Sequence, residues 1–232
     1  MNSLYYGFGS PVEILLLLGG TIFVIFAQIK VKGNYSKYLG EKCKKEMAGC
    51  EVARKILDNA GLDNVHVVEV KGQLTDHYDP KQKVVRLSTD IFHGTSVASV
   101  AVAAHECGHA IQDKDGYSFM KIRASLVPMV NFVNKFGYLA TIIGLIAGIF
   151  DVIIVGVVML LATLLFQVVT LPVEFNASLR AKKIINELNL ANENEQEGVE
   201  KMLSAAAFTY VAGVINTLFQ LLRLLVRIGD RD

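Results

Sequence analysis

Four apolar stretches separated by polar blocks organise the chain. The first, VEILLLLGGTIFVIFAQIK, carries no charge between Ile14 and Ile29. Val12 to Ile29 approaches the ~20 residues that a helix needs to cross a hydrocarbon core. Residues 1–29 therefore predict an N-terminal transmembrane helix. A mixed block, 30–127, follows. In it, SKYLGEKCKKEMAGCEVARKILDNAGL reads as one helix ending at Gly61, with Val52, Ile56, Leu57 and Ala60 on its apolar face. NVHVVEV is rich in β-branched residues and predicts a strand. QLTDHYDPKQKVVRLS predicts a hairpin that turns at Asp79-Pro80. A helix then begins near Ser96. It is apolar nearly all round but too short before Glu106 to span, which predicts a core helix buried in protein.

From Phe136 to Val173 the only charged residue is Asp151. As one helix this run would extend roughly 57 Å against a hydrocarbon core of about 30 Å, so it must fold back. Asp151 marks the turn, because a carboxylate at mid-bilayer costs about 2.5–3.5 kcal/mol. Residues 128–173 thus predict a transmembrane helical hairpin. The segment 174–203 is polar and helical, opening at Glu174 just after Pro172. Residues 204–232 read either as a last span or as an interfacial helix, since Asn216, Gln220, Arg223 and Arg227 form a polar stripe.

Composition agrees with membrane spans: 52% of residues are apolar and the mean hydropathy is +0.40. A net charge of +1 offers no general attraction for nucleic acid. Three cysteines (Cys43, Cys50, Cys107) make no disulfide framework and fit a reducing compartment. The N-terminus lacks the basic region of a signal peptide, so the first apolar run is expected to be retained. Basic clusters at 30–45, 114–123 and 180–183 place the block 30–127 and segment 174–203 in the cytoplasm by the positive-inside rule.

The chemistry-bearing stretch is His105-Glu106-Cys107-Gly108-His109. Residues i and i+4 share a helix face about 6 Å apart along the axis, close enough for both imidazoles to meet one zinc ion. Glu106 then stands beside the ion as general base toward zinc-activated water. Two satisfied core histidines are the bland alternative, but a buried carboxylate between them would be costly without such a role. Cys107 points off the ligand face, as a small core residue. Gly108 in a helix interior suggests close approach of a neighbouring helix. A catalytic zinc needs a third protein ligand. His66 lies in a strand and His93 in a loop, whereas Glu174 ends a 22-residue apolar run. By position alone Glu174 is equally a ligand or a cap at the positive end of a helix.

The stretches VAVAAHECGHAIQ, GCEVARKIL, GQLTDHYDPKQKVVRLS, LPVEFNASLRA and SAAAFTYVA resemble the bacterial neutral zinc metallopeptidases of the YugP type, over nearly the whole chain. The resemblance extends distantly to the HtpX-type membrane proteases. It implies a mainly α membrane protein, with a zincin-like catalytic block joined to three or four transmembrane helices. In the distant relatives a Glu in an E-F-x-A-D pattern completes the metal site. Matched here, that residue is Glu174, the third ligand of one Zn2+ per chain. The acidic residue four positions later, which orients a metal-binding histidine there, is Ser178 here, a weaker partner.

By analogy with zincin-like proteases, Lys83, Val84, Val85, Arg86, Leu87 and Ser88 would form an edge strand that receives the substrate backbone. His77, Tyr78 and Tyr210 are candidate donors to a developing oxyanion. The combined expectation is a membrane-anchored zinc endopeptidase of a bacterial inner membrane, with its site on the cytoplasmic side. Its partners would be a polypeptide, a membrane or misfolded protein, and the lipid bilayer, with no nucleic acid. Two rivals follow from the same residues. A site-two-type intramembrane protease would place the motif inside a span, which the polar flanks of the motif helix oppose. A non-catalytic zinc-containing membrane scaffold or chaperone would have no use for Glu106.

Overall fold

The computed structural model describes residues 10–147 and 151–229. They form a mainly helical membrane protein with one small sheet. The elements run α1 (Pro11–Leu39), α2 (Gly49–Asn59), β1 (His66–Val70), β2 (His77–Asp79), β3 (Val84–Ser88), α3 (Thr89–His93), α4 (Val97–Lys114), α5 (Ser118–Ala147), α6 (Asp151–Glu187) and α7 (Glu193–Gly229). Contacts divide them into two compact units. One comprises Met1–Gln28, Ile122–Leu171 and Thr209–Asp232; the other comprises Ile29–Lys121 and Pro172–Phe208.

The first unit is apolar on its outside. Leu15, Leu18, Ile22 and Phe26 of α1 and Val158, Leu161, Leu165 and Val168 of α6 are exposed, which is the pattern of helices that face lipid. Three helices among the described residues are long and apolar enough to cross a bilayer: Pro11–Leu39, Ile154–Glu187 and Glu193–Val226. Here α1 and α7 approach through small residues. A Cβ on Gly20 would stand 2.6 Å from Asn216 Oδ1, and one on Gly19 3.1 Å from the Phe219 ring. One member of the C-terminal polar stripe is thereby turned onto α1. The turn expected at Asp151 adjoins 148–150, which lie outside the described residues.

The second unit has the larger protein core. Val52, Ile56 and Leu57 of α2, Val85 and Leu87 of β3, Val97, Val100 and Ala104 of α4, and Ile185 of α6 are fully buried in one cluster. Each large aliphatic chain so buried contributes about 1.5–3 kcal/mol. α4 is enclosed on most of its circumference, which explains its apolar residues all round. Ser96 starts it by accepting a hydrogen bond from the Ser99 amide.

Four sequence expectations are corrected. The helix read over 36–61 is two, because the chain between them pairs with the approach to α4: Cys43 N donates to Thr95 O and Val97 N to Glu41 O, both at 2.9 Å. Those tertiary bonds outweigh local propensity, and the break falls at Gly40. A five-residue helix, α3, directly follows β3 and is too short to carry a periodic signal. The helix expected to open at Glu174 is the continuation of α6, which runs unbroken through Pro172. Glu174 is thus an interior residue and no N-cap. The strand 83–88, expected at an edge, is central: the sheet order is β1-β3-β2. β3 pairs in parallel with β1 along its whole length and antiparallel with β2 through Val84, Val85 and Arg86. Beyond β2, the Asp76 carboxylate takes the Ser88 amide at 2.6 Å. β3 therefore has no open edge for another chain.

Candidate metal centre

Helix geometry brings His105 and His109 onto one face of α4, with ring centroids 4.8 Å apart and nearly perpendicular planes. α6 crosses that face. The approach is close because residue 108 has no side chain: a Cβ there would sit 2.7 Å from the Ala177 carbonyl oxygen. Gly108 thus permits the contact expected of it. Three residues before Ala177, Glu174 points between the two imidazoles. Its Oε2 lies 3.3 Å from His105 Nε2 and 3.6 Å from His109 Nε2.

These spacings test whether the residues suit zinc. Tetrahedral ligands at 2.0–2.1 Å from the ion stand about 3.3–3.4 Å from one another. The observed separations approach that edge length. Two imidazole nitrogens and one carboxylate also form a donor set that a catalytic zinc uses. The three ligand atoms lie within 4.8 Å of one another. Glu174 and His109 are buried and His105 nearly so, so their polarity is held away from bulk water.

Glu106 is also buried, next to His105 in the chain. Burial pushes its carboxyl above the ordinary range, while His105 and His109 draw it back down. A carboxyl raised in this way takes up a proton more readily than a free one. Cys107 faces the other way, its Sγ 3.6 Å from the Ala53 carbonyl on α2, as a core residue.

The outer nitrogens of both histidines are engaged. His105 Nδ1 is 3.2 Å from Ser178 Oγ, so the serine expected to be the weaker partner does reach its histidine. His109 Nδ1 is 3.0 Å from Gln112 Oε1. Sequence reading missed Gln112, although a glutamine three residues after His109, within the buried stretch of the helix, was a signal for it.

The remaining candidates lie elsewhere. Tyr78 is buried in β2, and its hydroxyl donates to Asp113 Oδ2 at 2.8 Å, where Lys83 Nζ also binds at 2.6 Å. His77 is exposed, with Nδ1 2.7 Å from the Thr75 carbonyl. Tyr210 belongs to the other unit. His66 is exposed in β1, and His93 pairs with Glu69 at the surface. Of the five histidines, all of them among the described residues, His105 and His109 are the two that converge on a shared carboxylate.

A helical membrane chain with this His-His-Glu cluster and adjacent glutamate is of zinc-metallopeptidase type, and the sequence comparisons name the class. The family described as "Putative neutral zinc metallopeptidase" matches residues 13–229, and the chain belongs to it. It is 43% identical over 220 residues to the "Putative membrane protease YugP" of Bacillus subtilis (strain 168), covering 94% of this chain and 98% of that one. No solved structure matches it.

Proposed function

We propose that this chain is a zinc-dependent endopeptidase anchored in the bacterial inner membrane, with one ion per chain held by His105, His109 and Glu174. The observation that carries the reading is the convergence of those three ligand atoms within 4.8 Å, with the Glu106 carboxyl beside them. A bound zinc ion would acidify water and polarise a scissile carbonyl. Glu106 accepts a proton from the attacking water and returns it to the departing amine. The buried surroundings of Glu106 keep bulk water from competing for that proton. Ser178 and Gln112 hold the two imidazoles from behind.

With β3 enclosed, the edges of the sheet are β1 and β2; β2 packs against α4 and is the one placed to receive a polypeptide at the site. Strand addition there supplies main-chain hydrogen bonds without demanding a sequence, which suits misfolded or membrane-derived segments as substrates. Basic residues Arg180, Lys182 and Lys183 support a cytoplasmic position for the site, on multi-pass anchoring. The motif helix α4 is not among the three apolar helices, which favours this reading over an intramembrane site of the site-two type.

The test pairs metal content with cleavage. In purified full-length protein, His109→Ala should lose zinc, whereas Glu106→Gln should retain it and lose cleavage of an unfolded polypeptide by a factor of about 10² or more. Full zinc stoichiometry in His105→Ala would overturn the metal site. Full cleavage by Glu106→Gln would overturn the mechanism.

A further inference from the structure

Gln112 is fully buried at the back of the metal centre, and the hydrogen bonds around it permit only one arrangement. The argument starts at the surface with Arg180, whose guanidinium can only donate. Its NH1 is fixed by Asp115 Oδ2 at 2.5 Å, and its Nε donates to Asn176 Oδ1 at 2.8 Å. Arg180 thereby decides which end of the Asn176 amide is oxygen, an orientation otherwise open to a flip. Asn176 Oδ1 then accepts from Gln112 Nε2 at 3.0 Å, and the Val173 carbonyl accepts from the same nitrogen at 2.8 Å. Both N–H groups of Gln112 are spent on α6. Its oxygen must therefore face His109 Nδ1, 3.0 Å away. An amide oxygen only accepts, so Nδ1 carries the proton and Nε2 of neutral His109 is left bare toward Glu174.

We infer that Gln112 is a positioning residue: it sets the tautomer of His109 and seats the helix that carries Glu174, in register with that histidine. This rests on the zinc reading above. Its contacts on α6, Val173 and Asn176, flank Glu174 in sequence, so one amide fixes both the second ligand and the third. Ser178 does not do the same for His105. A hydroxyl both donates and accepts, so it holds the ring without dictating which nitrogen is protonated. Of the two contacts behind the imidazoles, only the one from the glutamine on the motif helix itself dictates a tautomer.

The test uses detergent-solubilised full-length protein, with zinc affinity read by competition with a chromophoric chelator. Visible spectra of the Co(II)-loaded protein report ligand geometry directly. Gln112→Met keeps the side chain's length and removes all three bonds. It should weaken zinc binding about 10–100-fold and alter the Co(II) bands. Asn176→Leu should act in the same direction. Asn176→Asp keeps an acceptor for both Arg180 and Gln112, and should bind zinc like the wild type. The inference is overturned if Gln112→Met and Asn176→Leu leave affinity and spectrum unchanged, or if Asn176→Asp is as damaged as Asn176→Leu. Should Gln112→Met fail to fold, the two Asn176 variants decide alone. A wild-type protein that takes up no zinc overturns the metal reading and this inference together, which separates that failure from one confined to Gln112.

Discussion

At the scale of single residues, two atoms that are absent matter as much as those present. Gly108 has no Cβ, and α6 occupies the space one would need. Alanine there would place a carbon 2.7 Å from a main-chain carbonyl oxygen that cannot swing aside. Gly108→Ala should therefore cost about 1–3 kcal/mol through overpacking. Gly33 provides the contrast: it is helical and exposed, with nothing within 4 Å of its notional Cβ. Gly33→Ala should stabilise by up to about 1 kcal/mol through helix propensity. Denaturant midpoints of the two metal-free variants check the pair, and equal shifts would refute the close-packing argument. The significance of Gly108 was legible in the sequence, because a glycine inside a helix-compatible motif has few explanations. Gln112 was harder to read. Its role depends on Val173 and Asn176, which lie 61 and 64 residues further along the chain.

At the scale of elements, periodicity identified what packs and not what pairs. α4 was legible as a buried helix because it is apolar on every side and capped by Ser96. β1, β2 and β3 were legible as strands from their β-branched residues and their turn. The order β1-β3-β2 was not, since a strand's composition does not say which neighbours it takes. The continuity of α6 through Pro172 was hidden for a related reason. Proline marks a helix boundary in water, but apolar helices packed in a membrane protein tolerate it. The end of β3 is tied to the loop before β2 by Asp76, which accepts from both the amide and the hydroxyl of Ser88. Burial holds the Asp76 carboxyl above its ordinary range, against the lowering pull of Ser88. The sign follows from linkage. A carboxyl with a raised folded pKa binds more protons folded than unfolded, so stability falls as pH climbs from about 3.9 to the folded value, then stays level. Asp76→Asn keeps an acceptor and removes the titration. Wild-type stability minus that of the variant should decline across this acid window, as read from denaturant midpoints at a series of pH values. A rising difference would contradict the burial argument.

At the scale of the whole molecule, the apolar helices interrupt in sequence the unit that carries His105, His109 and Glu174. That unit is assembled from Ile29–Lys121 and Pro172–Phe208, with the apolar segment Ile122–Leu171 between them in sequence. Its two parts were legible as polar blocks, but only the resemblance of PVEFNAS to known proteases joined them. His105 and Glu174 stand 69 residues apart in the chain and 3.3 Å apart in space. A version truncated after Leu171 keeps both histidines and Glu106, and should nonetheless retain no zinc after gel filtration. Retention at full stoichiometry would show that another group completes the site. The same separation sets the order of events during synthesis. A ribosome that has released only the N-terminal half has made the histidines without Glu174, so on the proposed metal reading a nascent chain gains its third ligand only after the apolar segment Ile122–Leu171 has been made.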